Sequence, residues 1–175
     1  MAEREFLRLP VVSLGAEYLV MGYLMRRNIL AYKAPPNNEG YDLICIHPDP
    51  RHHQKEGESD RVRVQVKSRY ASDCNRRFPV RGKSFDAFDY VIAVFLNIGN
   101  FFGKKECGPE GYKPEFYTLP SKFAREHQDP KSKWGLVKLR GLEEELEQYK
   151  NECGFEQIAK ALGIPKPSRP EKKQA

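Results

Sequence analysis

The clearest pattern in the chain is the alternation of apolar and polar side chains in residues 61–69, which read RVRVQVKSR. Valine or serine fills every even position, and a basic or amide residue fills every odd one. Successive side chains of a β-strand point to opposite faces of its sheet, so the segment is predicted to be a strand with one buried face. On its other face Gln65 and Lys67 lie side by side.

Similar patterns predict the other elements. A helix is expected from Ser13, its N-cap, to about Leu30. The apolar run 41–46 predicts a strand antiparallel to 61–69, and the run 89–96, apolar at successive positions, predicts a central strand covered on both faces. The remaining predictions are a polar loop at 47–60, a short turn or helix at 84–88, a strand at 115–119, and a helix from about Leu142 to Leu162 with a break at Gly154.

These elements indicate an α/β fold, and a length of 175 residues suits one domain with a substantial core. We expect that domain to span residues 1–164. Residues 165–175 are rich in Pro and Lys and are predicted to form a basic, disordered tail.

Positive charge is concentrated in one part of the chain. Residues 61–83 contain eight Lys and Arg against one acid, Asp73, so this segment exceeds the net charge of +6 of the whole chain. Such a strip suggests a polyanionic partner, most commonly a phosphate backbone. The alternative is a solvated strand face followed by a basic loop.

Cysteine usage and hydropathy predict a cytoplasmic protein. The four cysteines, at positions 45, 74, 107 and 153, form no Cys-x-x-Cys pair, which indicates reduced thiols. The longest apolar stretch, 90–96, is too short to span a bilayer, so no membrane association is expected.

Two carboxylates fall on apolar faces. Glu17 lies on the helix side that also carries leucine, valine and methionine at positions 14, 20, 21, 24 and 25, and Asp42 shares its strand face with Ile44 and Ile46. A carboxylate facing a core is costly unless a cation, a metal or hydrogen bonds satisfy it. Glu17 could instead cap the helix or pair with an arginine, and Asp42 could belong to the turn at 38–42.

The order of these features resembles the PD-(D/E)xK nuclease superfamily, which has the restriction-endonuclease-like fold. The resemblance covers residues 13–123 and is strongest to the branch that includes archaeal Holliday-junction resolvases. It is carried by GAE at 15–17 on the helix, GYD at 40–42, QVK at 65–67, FDYVIAV at 88–94 and FYTLP at 116–120.

What the resemblance implies is a nuclease-like α-β-β-β-α-β core with a mixed central sheet, here with extra C-terminal helices. It also implies a Mg²⁺-dependent endonuclease, with Mn²⁺ as an alternative ion, acting on double-stranded or branched DNA. Small members usually cut two strands as dimers, so a homodimer is implied as well.

The same resemblance assigns roles to four residues. Glu17, Asp42 and Gln65 would supply the oxygen ligands that Mg²⁺ prefers. Lys67 would orient or deprotonate the attacking water or stabilise the phosphoryl oxygens, and burial could depress its pKa enough for base chemistry. Basic residues near this motif would contact the DNA backbone: Arg63, Arg69, Arg76, Arg77, Arg81 and Lys83.

Position 65 departs from the common motif, because most members have Glu or Asp where this chain has Gln. The amide removes one negative charge and should weaken metal binding. The alternative hypothesis is therefore a catalytically inactive nucleic-acid-binding module, a subunit of a repair, defence or mobile-element system. Trp134 could stack on bases from a loop, although burial is the usual place for an aromatic side chain.

Overall fold

The computed structural model describes residues 8–36, 38–103 and 112–167. The strands are β1 (Leu30–Lys33), β2 (Leu43–Ile46), β3 (Val62–Arg69), β4 (Arg77–Pro79), β5 (Tyr90–Phe95), β6 (Glu115–Pro120) and β7 (Leu136–Lys138). The helices are α1 (Leu9–Arg26), α2 (Ser121–Glu126), α3 (Glu143–Leu146) and α4 (Asn151–Ala161).

Five of the strands form a mixed sheet in the spatial order β1-β2-β3-β5-β6. β3 and β5 run parallel, and the other neighbours are antiparallel. β4 and β7 pair as a separate two-stranded sheet. The predicted α/β class with a mixed sheet is confirmed, whereas the likeness to restriction endonucleases stays a prediction.

The central sheet separates two apolar cores. One core lies between the sheet and the helices α1 and α4, and it receives the even-numbered valines of β3. The other core lies on the opposite face and joins β5 to the small sheet through Phe78 and Val137. β5 alternates between the two cores, with Ile92 in the first and Val91 in the second, so its apolar sequence reflects burial on both faces, as predicted.

Helix α1 differs from its prediction in start and orientation. It begins at Leu9 with Pro10 in its first turn, where a missing N–H costs nothing, so Ser13 is not the N-cap. Its buried residues are Ala16, Val20 and Leu24. Val20 and Leu24 are buried as predicted, whereas Leu14 and Met25, expected on the same side of the helix, are 46% and 44% exposed.

The C-terminal helix is interrupted at a different residue from the predicted one. The break falls at Lys150, whose backbone is extended, and Gly154 is buried within α4. A Cβ at Gly154 would lie 2.2 Å from the Tyr149 carbonyl oxygen, so this glycine permits close packing within a continuing helix.

β7 and α2 were not predicted, since they are too short to show a period in the sequence. Between β3 and β5 the core order of the resemblance implies a helix, and the chain instead forms β4, a 3₁₀ turn at Gly82–Ser84 and a turn at 85–87. The short turn or helix predicted at 84–88 is thus confirmed as a turn, flanked by the buried Phe85 and Phe88. In the described ranges no helix is long and apolar enough to cross a membrane.

Two predictions concern residues only partly covered. Cys45, Cys74 and Cys153 are unpaired thiols, as predicted, and Cys107 lies outside the described residues. Of the predicted tail, residues 165–167 have no regular structure, and 168–175 also lie outside the described part of the chain.

Candidate functional site

Asp42 and Gln65 are brought together by the pairing of β2 with β3. Leu43 pairs with Val64, so one step further along the antiparallel register sets Asp42 opposite Gln65. The Val66 N–H donates to Asp42 Oδ2 at 2.7 Å, and the Asp42 N–H donates to the Val64 carbonyl at 2.9 Å. The Asp42 carboxylate is thus fixed against β3, and a backbone hydrogen bond offsets part of its desolvation.

A glycine positions this aspartate. Gly40 has φ +96°, and a Cβ there would lie 2.2 Å from the Ala87 Cβ. Only glycine both adopts this conformation without strain and allows the turn to approach the segment that precedes β5. The start of β2, and with it Asp42, is therefore held by a contact that no other residue type can make without displacing the chain.

Gln65 is a buried polar residue with an unsatisfied oxygen. Its side chain is only 8% exposed, and its Oε1 has no hydrogen-bond partner among the described residues. A buried amide oxygen without a partner is costly, and native structures contain few of them. A ligand that supplied a donor or a cation to this oxygen would remove that cost.

Lys67 lies two residues further along the same strand face. Its neighbour in register on β5 is Ala93, a small side chain that leaves room for the lysine stem. Burial lowers the pKa of the Lys67 ammonium below its usual range; the Asp42 carboxylate opposes this effect and the Arg81 charge adds to it. The group therefore reaches its neutral form at a lower pH than an ordinary lysine.

Gln65 and Lys67 line a cleft of about 830 Å³. The other lining residues come from segments distant in sequence: 39–40, 79 and 81–84, Gln128, and 132–135. Four of the lining side chains are cationic, namely Lys67, Arg81, Lys83 and Lys133. One lining side chain, Glu39, is acidic. The cleft is consequently a site suited to a negatively charged ligand.

Glu17 is engaged elsewhere. Its carboxylate forms an ion pair with Lys33 on β1, and the two side chains are 18% and 30% exposed. The partner is a lysine, whereas the alternative considered from the sequence was an arginine. Glu17 does not line the cleft, and its membership of the site stays a prediction.

The predicted DNA-binding residues fall into separate groups. Arg81 and Lys83 are exposed and line the cleft beside Lys67. Arg63 binds both carboxylate oxygens of Asp89, at 3.2 and 2.8 Å, and lines a different cavity. This pairing holds the pKa of Arg63 above its usual range, so its guanidinium is committed within the protein.

The other three predicted DNA-binding residues do not line this cleft. Arg76 pairs with Glu115 and lies over the Phe95 ring, 4.3 Å from its centroid. Arg76 and Arg77 both line a third cavity, of about 840 Å³. Arg69 is the last residue of β3. The structure therefore brings Asp42, Gln65, Lys67, Arg81 and Lys83 into one region, and the remaining predicted residues do not line this cleft.

Sequence patterns did not identify two residues of the cleft wall. Lys133 and Gln128 were not predicted, and Trp134 was expected to be buried but is 76% exposed. A usable signal was the SKWG stretch at 132–135, a tryptophan between a lysine and a turn glycine.

No protein-family model matches the chain, and no curated protein matches it at a significant level.

Proposed function

We propose that the protein is a Mg²⁺-dependent endonuclease that hydrolyses phosphodiester bonds in DNA. The observation that carries this proposal is the unpartnered Oε1 of Gln65, buried beside Lys67 at the floor of a cationic cleft and opposite Asp42. An oxygen ligand, a carboxylate and a lysine of lowered pKa are the groups that metal-assisted phosphodiester hydrolysis requires.

One carboxylate, of Asp42, and one amide oxygen, of Gln65, are a small but sufficient set of protein ligands for Mg²⁺. Within the described residues there is no cluster of three His, Cys, Asp or Glu side chains that could hold a metal. Mg²⁺ is usually bound through one or two carboxylates, with waters and substrate phosphates completing its shell. Asp42 and Gln65 would hold it, and the ion would supply charge neutralisation at the phosphate and an acidified water.

The side chains around this position have distinct tasks. Lys67, whose lowered pKa favours loss of its proton, would accept a proton from the attacking water as the bond from phosphorus to the leaving oxygen breaks, and its ammonium would stabilise charge on the phosphoryl oxygens. Arg81 and Lys83 bind the phosphates on either side of the scissile bond. The hydrogen bond from Val66 keeps the Asp42 carboxylate in place.

The second candidate is a DNA-binding module without catalysis. It is favoured by the neutral amide at position 65, which leaves Asp42 as the one carboxylate that strand pairing sets opposite Gln65, with Glu39 the one acid that lines the cleft. Such a module uses the same cationic cleft but needs no divalent ion.

A nicking assay tests the proposal. Supercoiled plasmid and branched DNA should be cut with Mg²⁺ or Mn²⁺ and left intact with EDTA, and excess Mg²⁺ should restore cutting. Binding to both DNAs without cleavage under every metal condition would reject the endonuclease and leave the binding module.

The cleft cations should determine the salt dependence of DNA binding. Replacing Arg81 or Lys83 with glutamine should lower the slope of log K against log salt by about one and weaken binding to all sequences alike, since each removes one phosphate contact. Fluorescence anisotropy over a range of salt concentrations measures both quantities. Lys160→Gln, an exposed lysine on α4 over the opposite face of the sheet, is the matched control. An equal loss in the control would place the DNA elsewhere.

A further inference from the structure

Trp134 is the only tryptophan of the chain and stands out by its exposure. At 76% it is the most exposed large apolar side chain in the described ranges. It lies just before β7 and lines the same cleft as Gln65 and Lys67. A large aromatic ring in contact with water at the mouth of a cationic cleft is available to a ligand that has an apolar face.

The turn that carries Trp134 is held rigidly. Ser132 Oγ accepts hydrogen bonds from the N–H groups of Trp134 and Leu136, at 3.3 and 3.2 Å. The Gly135 carbonyl accepts from the Val80 N–H at 3.0 Å and from the Gln128 side chain at 3.1 Å. The backbone at Trp134 is therefore fixed before any ligand binds, which reduces the entropy lost on binding.

Gly135 makes this arrangement possible. Its φ is +62°, and a Cβ there would lie 2.2 Å from the Val80 carbonyl oxygen. Glycine thus allows the turn to approach the strand end opposite, and the Trp134 backbone is set beside the segment that carries Arg81 and Lys83. A flat ring and several cations, with one nearby acid, face the same space.

We propose that Trp134 stacks on an unpaired nucleobase of DNA bound in the cleft. A ring flanked by cations matches a nucleotide, which offers a flat base and an anionic phosphate. In a continuous duplex both faces of each base are covered by its neighbours, so the ring can reach only a base that is unpaired or displaced. This inference rests on the proposed function for the presence of DNA in the cleft, and it narrows the substrate to DNA in which a base is unpaired or is displaced from the stack on binding.

Tryptophan fluorescence tests the stacking without cleavage. In EDTA, the wild-type protein is titrated with a dodecamer of thymidylate, an abasic dodecamer with the same phosphates, and a hairpin duplex with a blunt end and a closed loop of non-nucleotide linker. Because the chain has one tryptophan, emission excited at the long-wavelength edge of the tryptophan band, where the nine tyrosines do not absorb, reports position 134 alone. We expect quenching by the thymidylate dodecamer, binding without quenching by the abasic strand, and little quenching by the hairpin.

Variants separate stacking from charge. Trp134→Ala should weaken thymidylate binding by about 5- to 150-fold and leave abasic binding unchanged, while Trp134→Phe should retain most of the affinity. Tyr18→Ala is the matched control, since Tyr18 is 53% exposed on α1 over the opposite face of the sheet and should have no effect. Affinities are measured by anisotropy of labelled DNA.

The outcomes distinguish this inference from the endonuclease proposal. Failure of the thymidylate dodecamer to bind, binding without quenching, equal quenching by the hairpin, or unchanged affinity in Trp134→Ala would each overturn the stacking site. Quenching with no cleavage in Mg²⁺ supports the stacking site and rejects the endonuclease. Cleavage with no quenching does the reverse.

Discussion

Lys67→Ala is expected to lower the rate of DNA cleavage by about 10²–10⁴-fold, the usual contribution of a positioned proton-transfer group. Lys67 lies beside the unsatisfied amide of Gln65 and its pKa is lowered, so no other cleft cation combines these two properties. Single-turnover cleavage of plasmid at saturating Mg²⁺ measures the loss. Lys83→Ala is the matched control and should reduce affinity far more than the rate at saturation.

The lowered pKa of Lys67 gives this prediction a second readout. The folded protein binds this proton more weakly than the unfolded chain, so the protonated ammonium destabilises the fold at pH values below the lowered pKa. This loss of stability decreases as the pH rises from the pKa of Lys67 in the folded protein towards its pKa in the unfolded chain. Lys67→Met should therefore be more stable than wild type at neutral pH in urea unfolding, with the gain shrinking in alkali. A loss of stability at neutral pH would show that Lys67 is a structural residue.

Gln65→Glu is expected to bind Mg²⁺ about tenfold more tightly or better, because an anionic oxygen replaces an amide oxygen at the same position. Cleavage should be retained. Isothermal titration calorimetry of wild type, Gln65→Glu and Asp42→Ala measures the affinities, and Asp42→Ala should lose both metal binding and cleavage. Gln148→Glu, at an exposed position near α3, controls for the added charge alone.

The pattern of affinities decides between the two candidate functions. Measurable Mg²⁺ binding by wild type that Asp42→Ala removes supports the endonuclease. No binding by wild type together with clear binding by Gln65→Glu would identify a natural protein whose metal site has been silenced. The DNA-binding module would then be the correct description.

Local sequence patterns predicted β2, β3, β5 and β6, but not the contacts that these strands make with the rest of the chain. The alternation in β3 is set by one buried face, and it correctly placed Gln65 and Lys67 on the other face. The apolar run of β5 likewise revealed a strand covered on both sides. These predictions succeeded because burial repeats along a strand with a period of two, which a sequence displays directly.

The predictions that failed depend on contacts between distant segments. Nothing local shows that Asp89 engages the Arg63 guanidinium, or that the turn at 132–135 closes the cleft opposite β3. The buried stripe of α1 was predicted only in part: Val20 and Leu24 are buried as expected, and Ala16 was missed because a small side chain leaves no strong hydrophobic signal. Tertiary packing decided each of these cases.

The floor of the cleft, Gln65 and Lys67 on β3, and its wall, the turn at 132–135 before β7, belong to parts of the fold that unfold locally at different free energies. β3 lies between two neighbouring strands and its valines enter the core beneath α1 and α4, so its local unfolding requires the loss of the whole sheet. The wall stems from a sheet of two strands and three residue pairs, a unit that is marginal without its buried Phe78 and Val137. In the folded protein the hydrogen bonds of the 132–135 turn hold the wall in place, and in a rare sub-global opening the wall is expected to separate before the strand that carries Gln65 and Lys67.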